Sequence, residues 1–342
     1  MKLLVVHPGA SWSTHDVHVG VVEGLKANGV SVAEWRLDGR IKMAHNWLHY
    51  LWRQKLKVRD GKEWPQPTQL DVLHHATIGV IERAIECDCQ DVLIITAMFL
   101  PADRISLMRK AGLRVWLLCT ESPYHIDDES RIAAICDGVF TNERAAIDAF
   151  KAVQPRTAYL RHAYRSGVHD VAVAAATTSD VFFCGSMFPE RIAWLTAIDW
   201  QGIDFHLYTR TQDLPRNSKL RKFLKGGITP NAEVVQLAKA SKITLNLFRD
   251  ASIPADSLNP RCYELAAAGT CLVTNDRAEV RELMPETPIV SSPEQAGDVF
   301  RALLADDVAR RRIAAAQQTA IHGQTWTVRA RELVDQIQQW HS

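Results

Sequence analysis

The chain has 342 residues, 47% of them apolar and 23% charged, and a formal net charge of +1. That is the make-up of a soluble globular protein with room for two cores, and its bulk charge predicts no partner. No apolar run approaches membrane-spanning length. Lys2 precedes only Leu3 to Val6 before His7-Pro8, too short for a secretory signal, so the expected location is cytoplasmic. The seven cysteines are scattered and odd in number, which fits buried thiols in a reducing compartment. Cys87-Asp88-Cys89 has no second Cys or His pair at a metal-binding distance.

Strand-like and helix-like segments alternate, the signature of βαβ units and parallel sheets. Lys2 to Val6 reads as a strand, Asp16 to Asn28 as a helix stopped by Gly29, and Val30 to Trp35 as the next strand. Leu70 to Glu86 reads as one helix, followed by a buried strand from Asp91 to Thr96. Helices at Pro101 to Ala111, Arg131 to Cys136 and Glu143 to Val153 alternate with strands at Arg114 to Cys119, Gly138 to Thr141 and Thr157 to Leu160. Residues 1–165 form a first domain on this reading, and the Ala/Val/Thr-rich stretch 166–179 a linker. A second series follows over 180–325: strands at Asp180 to Cys184, Asp204 to Tyr208 and Lys242 to Leu247, with helices at Glu190 to Ile198 and Asn231 to Ala240. Glu279 to Leu283 and Pro288 to Val290 are further segments, and helices from Pro293 to Leu304 and Asp307 to His322 come before a closing one in 326–342. In open parallel sheets ligands sit beyond the carboxyl ends of the strands, so the loops after Val6, Thr96, Cys119, Cys184, Tyr208, Leu247 and Thr274 are candidates for lining a site.

The stretch from Asn259 to Thr274 carries the most chemistry. Asn259 suits an N-cap, Pro260 the first helical position, and Gly269 the left-handed stop before a short buried strand. A helix start offers N–H groups and a positive dipole end to an anion. Arg261 brings a planar fork of donors suited to phosphate, and Glu264 stands one turn on, placed for ribose hydroxyls. The same spacing also describes an ordinary surface Arg–Glu pair. His15 and His18 open the first long helix and read either as acid–base groups or as surface or capping histidines. His45 and His49 share a helical face but lack the Glu of a metalloprotease motif, and read as packing or solvent. Glu121 and Tyr124 follow a buried strand, as an acceptor-side pair or plain loop residues. Asp127-Asp128-Glu129 reads as a helix N-terminal cap. Two stretches concentrate basic charge: 36–62, interleaved with Trp47, Tyr50 and Trp52, and 210–225. Basic residues among aromatics suit a nucleic acid, and equally a solvated face.

Several segments resemble, in order, the C-terminal domain of GT-B glycosyltransferases, and more narrowly the spore-maturation-protein-type (CgeB-like) enzymes. They are Asp180-Val181-Phe182-Phe183-Cys184-Gly185-Ser186 with Glu190-Arg191; Ala240-Ser241-Lys242-Ile243-Thr244-Leu245-Asn246-Leu247; Asn259-Pro260-Arg261-Cys262-Tyr263-Glu264; and Gln324-Thr325-Trp326-Thr327-Val328-Arg329. Cys136 to Asn142 and Tyr159 to Tyr164 match more loosely, and His7-Pro8-Gly9 with Ser11-Trp12 weakly. The resemblance implies an α/β GT-B fold: two Rossmann-like doubly wound domains facing across a cleft, the C-terminal helix packing back on the first. It implies a transferase moving sugar from a nucleotide-diphosphate donor to an acceptor hydroxyl, with retention as the expected stereochemistry. It places donor binding on Gly185, Arg191, Tyr208, Lys242, Asp256, Asn259, Arg261 and Glu264, with Asp256 at the first acid of an E-x7-E pattern. Catalysis falls to His15, Glu121 and Arg261, and acceptor contacts to Gly9, His15, Tyr124 and His162. Arg191 and Lys242 read equally well as a solvated helix-start residue and a strand-edge cation.

The chain has no Asp-x-Asp, so the expectation is metal-independent chemistry with no cofactor besides the donor. The acceptor is open, a nucleic acid with hydroxylated bases included. A non-catalytic nucleotide-sugar or glycan binder and a nucleotide-sugar epimerase are the alternatives. A dehydrogenase is disfavoured, because neither domain opens with Gly-x-Gly-x-x-Gly.

Overall fold

The computed structural model describes residues 1–9, 15–59, 61–172, 176–227, 230–249 and 253–341. Ser11, Trp12, Asp60 and Ser252 lie outside the described residues. The chain divides into two compact units, Met1–Arg161 with Arg329–Ser342, and His162–Val328.

The first unit runs β1 (Lys2–His7), α1 (His15–Ala27), β2 (Ser31–Arg36), α2 (Leu37–Leu51), a π-helical turn Trp52–Leu56, and a small hairpin of β3 (Val58–Arg59) and β4 (Lys62–Glu63). It continues with α3 (Gln69–Ala76), α4 (Val80–Glu86), β5 (Asp91–Ile95), α5 (Ala102–Lys110), β6 (Arg114–Cys119), α6 (Ile126–Ala133), β7 (Gly138–Thr141), α7 (Ile147–Val153) and β8 (Thr157–Tyr159). Its sheet has the order β2-β1-β5-β6-β7-β8, parallel throughout. The inner strands β1, β5, β6 and β7 are near-continuous buried runs, as a sheet covered on both faces requires; Leu3 to Val6 and Val92 to Ile95 are all buried.

The second unit holds β9 (Ser179–Cys184), α8 (Pro189–Ala197), β10 (Phe205–Tyr208), β11 (Leu224–Gly226), α9 (Asn231–Lys239), β12 (Ser241–Asn246), α10 (Pro260–Ala267), β13 (Cys271–Thr274), α11 (Ala278–Leu283), α12 (Pro293–Ala305) and α13 (Asp307–Ala320). Its parallel sheet has the order β11-β10-β9-β12-β13. Strand order reverses between β1 and β5 in the first sheet and between β9 and β12 in the second. Those are the switch points where α/β sheets bind ligands.

The last helix, α14 (Trp326–His341), packs back on the first unit, as expected. Trp340 stacks on Trp116 with centroids 5.7 Å apart, and a Cβ on Gly138 would meet both rings at under 3 Å, at 2.8 and 2.9 Å. Asp91 ties this end together by accepting from Arg114 (2.8 Å) and Trp116 Nε1 (2.9 Å), with His341 Nε2 at 3.2 Å. These bonds hold the Asp91 carboxyl below its ordinary range although burial opposes them.

Four elements differ from the sequence reading. The helix expected over 70–86 is two helices, broken where Gly79 takes φ +89° with the Trp35 ring against it. α2 fills a stretch the sequence left unassigned, because its apolar residues point in more than one direction. β11 is a three-residue edge strand, too short to signal itself. α6 begins at Ile126 instead of Arg131, with the three acids in its first turn. Residues from His162 onward pair with the second unit: Tyr164 N–H donates to Gln324 O (3.1 Å), and Trp326 N–H to Tyr164 O (3.1 Å).

Candidate functional site

At the switch point of the second sheet, the loops leaving β9, β12 and β13 enclose a pocket of about 400 Å³. Arg191, Trp194, Phe248, Arg249, Asn275 and Asp276 are among its lining residues. Arg191 sits in the first turn of α8, started by Pro189 at a position that needs no N–H. It donates to Ser186 O (2.9 Å) and Leu247 O (2.5 Å), so one guanidinium joins the loops after β9 and β12. Arg191 and Arg249 both approach the Phe188 ring, at 5.3 and 4.0 Å from its centroid. Arg277 is buried behind them; it donates to Arg249 O (3.2 Å) and lies over Phe248. Asp276 is held by a bidentate pair with Arg281 (2.7 and 2.9 Å), and Glu190 is the lining's other acid beside Arg191 and Arg249. The sequence reading named Arg191 but missed Arg249 and Arg277, although it marked the loops that carry them.

α10 starts at the same carboxyl edge of this sheet. Its start is capped by Asn259 with Pro260 in the first turn, as the sequence reading expected, and the cap takes up an N–H that an anion at this tip would use. Asn259 Oδ1 accepts from Cys262 N–H (3.1 Å), Pro260 has no N–H, and Asn259 Nδ2 donates to Asn246 Oδ1 (3.0 Å). The Asn259 side chain is therefore committed to the helix and to the end of β12. Arg261 and Glu264 are not a surface pair: they form an ion pair at 2.9 Å, with the carboxylate side chain 5% exposed and the guanidinium 24%. They do not line the pocket at Arg191, but Asn246, to which the helix start is tied, is next to its lining residue Leu247. Cys262, between them, is fully buried and its thiol is pushed up by that burial.

The other donor-side residues divide. The Gly185 N–H donates to Tyr208 O (3.1 Å), and a Cβ there would meet Phe183 at 3.6 Å and Arg191 Nη1 at 3.8 Å, ordinary contact. Asp256 is half-buried, and its carbonyl accepts from Glu279 N–H (2.9 Å). Glu279, a buried acid the sequence reading passed over, accepts from Leu258 N–H (2.7 Å) and clamps the segment before α10. Tyr208 ends β10, the strand next to β9 on the side away from the switch point, where it packs against Phe182 with Gly226 against its ring. Lys242 is a correction. As the second residue of β12 it stands at the amino end of a parallel sheet, paired with Asp180 (2.8 Å), on the edge opposite the pocket.

In the first unit the switch point carries a second pocket, of about 640 Å³. Pro8, Ile41, Pro67, Val72 and Phe99 give it an apolar floor, with Asp38, Lys42, His45, His49 and Gln69 around them. His45 and His49 touch at 4.2 Å between ring centroids. They line this pocket, where the sequence reading had assigned them to packing or solvent. Gly9, with φ +86°, has the Asp38 carboxylate where a Cβ would be (2.2 to 2.5 Å), so only glycine fits this turn.

His15 begins α1 and meets His18 edge-on at 5.0 Å; His18 stacks on His7 at 4.1 Å. These three imidazoles form a column at the carboxyl end of β1. Burial lowers the His7 pKa, with Glu34 at 3.4 Å opposing. Glu121 and Tyr124 lie half-buried in the loop after β6. That loop is organised by Glu129, which accepts from Glu121 N–H (3.3 Å) and from the Ser122 hydroxyl. Glu129 lies in the first turn of α6, the helix start expected for the three acids, but it is buried, and desolvation raises it to about 7. His162 is also corrected: it is buried edge-on against Trp326 in the second unit, and desolvation lowers it to about 3, so it stays neutral. Among the described residues, no group of three or more His, Cys, Asp or Glu is arranged to hold a metal ion.

Comparison with known proteins agrees with this geometry. Residues 191–335, most of them in the second unit, match the family described as glycosyl transferase-like. No curated protein matches the chain. Solved structures similar over nearly the whole length include trehalose-6-phosphate synthase OtsA (TM-score 0.69, 12% identity, 99% of this chain and 99% of that one). Sucrose-phosphate synthase from Thermosynechococcus elongatus gives a TM-score of 0.68 at 11% identity, covering 99% of this chain and 98% of that one. Anabaena HepE, solved in complex with UDP-glucose, gives 0.67 at 12% identity, covering 99% and 100%. At such identity the likeness establishes the fold: two Rossmann-like domains of the GT-B type.

Proposed function

We propose that the chain is a glycosyltransferase that takes a nucleotide-diphosphate sugar on its second unit and passes the sugar to an acceptor hydroxyl held by the first. The observation that carries this reading is the pair Arg191 and Arg249 around the pocket at the switch point of β9 and β12. Breaking the bond between the anomeric carbon and the diphosphate leaves an electron pair on a phosphate oxygen. Fixed guanidinium groups in a partly enclosed pocket stabilise that charge without reorganising. Arg261 and Glu264 lie outside that pocket's lining and are assigned, on the motif, to a further phosphate contact and to the ribose hydroxyls, which requires the donor to extend from the pocket toward the start of α10. The HepE complex with UDP-glucose supports a uridine nucleotide as donor. The Asn259–Glu264 motif supports placing the chain near the spore-maturation-protein-type enzymes and reading the transfer as retaining. The pocket at Pro8, His45 and His49 has the size and the apolar-plus-polar lining of a small-molecule site and is assigned to the acceptor.

Isothermal titration with UDP and UDP-glucose, and a coupled assay for UDP release, test the proposal. The protein should bind UDP, and Arg249→Ala should weaken binding about tenfold or more, the worth of one charge-assisted phosphate contact. Absence of UDP, GDP, ADP and TDP binding, or equal affinity in Arg249→Ala, would refute the donor assignment. Binding with neither transfer nor slow donor hydrolysis would identify a nucleotide-sugar binding protein instead.

A further inference from the structure

The first unit exposes an aromatic and aliphatic outcrop that the proposed transfer reaction does not use. Met43 (56% exposed), Trp47 (49%), Tyr50 (55%), Leu56 (40%), Val58 (65%) and Trp64 (51%) fall within one stretch of chain running from α2 through the π-helical turn to just past the hairpin. No other exposed Trp or Tyr stands among the large exposed hydrophobics of the described residues. Met43, Trp47 and Tyr50 are spaced i, i+4, i+7, so they form one stripe along α2. The Trp47 and Tyr50 rings lie near-parallel, with centroids 6.0 Å apart. The opposite stripe, Ile41, Ala44 and Leu48, packs on Val72 and Ala76 of α3. A third set, Lys42, His45 and His49, lines the pocket. The hairpin is bound to the end of α2, because Trp52 Nε1 donates to Trp64 O (2.9 Å) and Trp64 N–H to Lys57 O (3.2 Å). These bonds hold the segment that carries Trp64 against the chain that follows α2. From Met43 to Trp64 the chain carries five Lys or Arg (Arg53, Lys55, Lys57, Arg59 and Lys62) against Asp60 and Glu63.

We propose that this outcrop docks the protein on an anionic lipid surface, with Trp47, Tyr50 and Trp64 at headgroup depth and Lys55, Lys57 and Arg53 on the lipid phosphates. An interfacial segment needs this combination: aromatic and aliphatic groups to bury and cations beside them. A second copy of the chain does not suit the patch, since two like surfaces with this density of cations repel. A single-stranded nucleic acid would use the rings and cations. It would leave Met43, Leu56 and Val58 against phosphate and water, where a bilayer buries them. No helix of the described residues is long and apolar enough to cross a membrane, so the contact is lateral.

Co-sedimentation of the full chain with phosphatidylcholine vesicles, with and without phosphatidylglycerol, tests this directly, alongside titration with an oligothymidylate. Retention on the anionic vesicles alone, weakened by salt, is the expected result. Trp47→Ser with Tyr50→Ser should lower the partition constant about tenfold by removing buried ring area. Lys55→Glu with Lys57→Glu should lower it at least twentyfold or so, given the worth of each cation near an anionic leaflet. Both pairs are exposed, and unchanged circular dichroism would certify their folds. No retention on anionic vesicles overturns the proposal. So does retention that neither double variant reduces, and so does binding of the oligothymidylate without binding of vesicles.

Discussion

Replacing Glu264 with Gln separates a structural role of this acid from a donor-binding one. The carboxylate is 2.9 Å from Arg261 Nη1 and its side chain is 5% exposed. At a charge separation of about 4 Å and an effective dielectric near 20, the bare attraction is about 4 kcal/mol. Desolvation of both groups offsets part of that, and Gln keeps an oxygen in place to accept from the guanidinium. The net loss of stability should be about 2 kcal/mol. For a unit the size of His162–Val328 that corresponds to a fall in melting temperature of about 4 to 8 °C. The ribose hydroxyls would lose the charged half of their hydrogen bonds, worth about 1.4 kcal/mol, or tenfold in the Kd for UDP. Differential scanning fluorimetry and isothermal titration on the same preparation read the two effects separately. A lowered melting temperature with unchanged UDP affinity would refute the ribose assignment and leave Glu264 as the counter-ion of Arg261 alone. Unchanged stability would refute the buried-pair argument itself.

Other outcomes follow from the same structure. Lys242→Ala should leave UDP affinity unaltered, since its partner is Asp180 at the far edge of the sheet; weaker UDP binding in titration would mean that the charge reaches the site. Gly185→Ala should fold normally, the nearest atoms to the new Cβ being at 3.6 Å, yet weaken UDP binding by crowding the approach to Arg191; unchanged affinity would move the diphosphate away from this loop. Glu129→Gln should change the pH dependence of stability. The folded carboxyl holds its proton up to about 7 while an unfolded one releases it near its ordinary value of 4.5. Folding therefore loses about 1.4 kcal/mol per pH unit as pH rises through that window, about 3 kcal/mol in all. The variant minus the parent should gain that much between the two pH values in urea unfolding. A constant difference would show that Glu129 is ionised in the folded chain. His162→Leu should act with the opposite sign: the parent imidazole, neutral down to about 3, costs stability as pH falls below 6.5, and the variant should unfold later in acid.

How far the sequence could be read depends on whether a residue's role is set by its own segment. The strands were legible because Leu3 to Val6 and Val92 to Ile95 are unbroken apolar runs, and burial on both faces of a parallel sheet asks for nothing else. α2 was not legible, because Ile41, Ala44 and Leu48 face the core while Met43, Trp47 and Tyr50 face outward. Apolar residues on two faces erase the helical period. The error on Lys242 was avoidable: the second residue of a parallel strand lies at its amino end, and ligands gather at the other. Arg249 and Arg277 stand in loops that the strand pattern had marked, but nothing in those loops distinguishes a site arginine from a solvated one. The remaining gaps concern groups that satisfy each other. Asn259 spends its amide on Cys262 and Asn246, Glu264 takes Arg261, and Glu129 takes the loop at Glu121 and Ser122. The Asn259–Cys262 and Arg261–Glu264 pairs are three residues apart, so spacing allows them, but their burial and the Asn259–Asn246 bond are set by packing against other elements. A motif can therefore name the residues of a site while leaving open which of them a ligand must first pull away from a neighbour. For Arg261 and Glu264 that exchange sets the affinity: a donor gains only the difference between its own contacts and the 2.9 Å pair it displaces or shares.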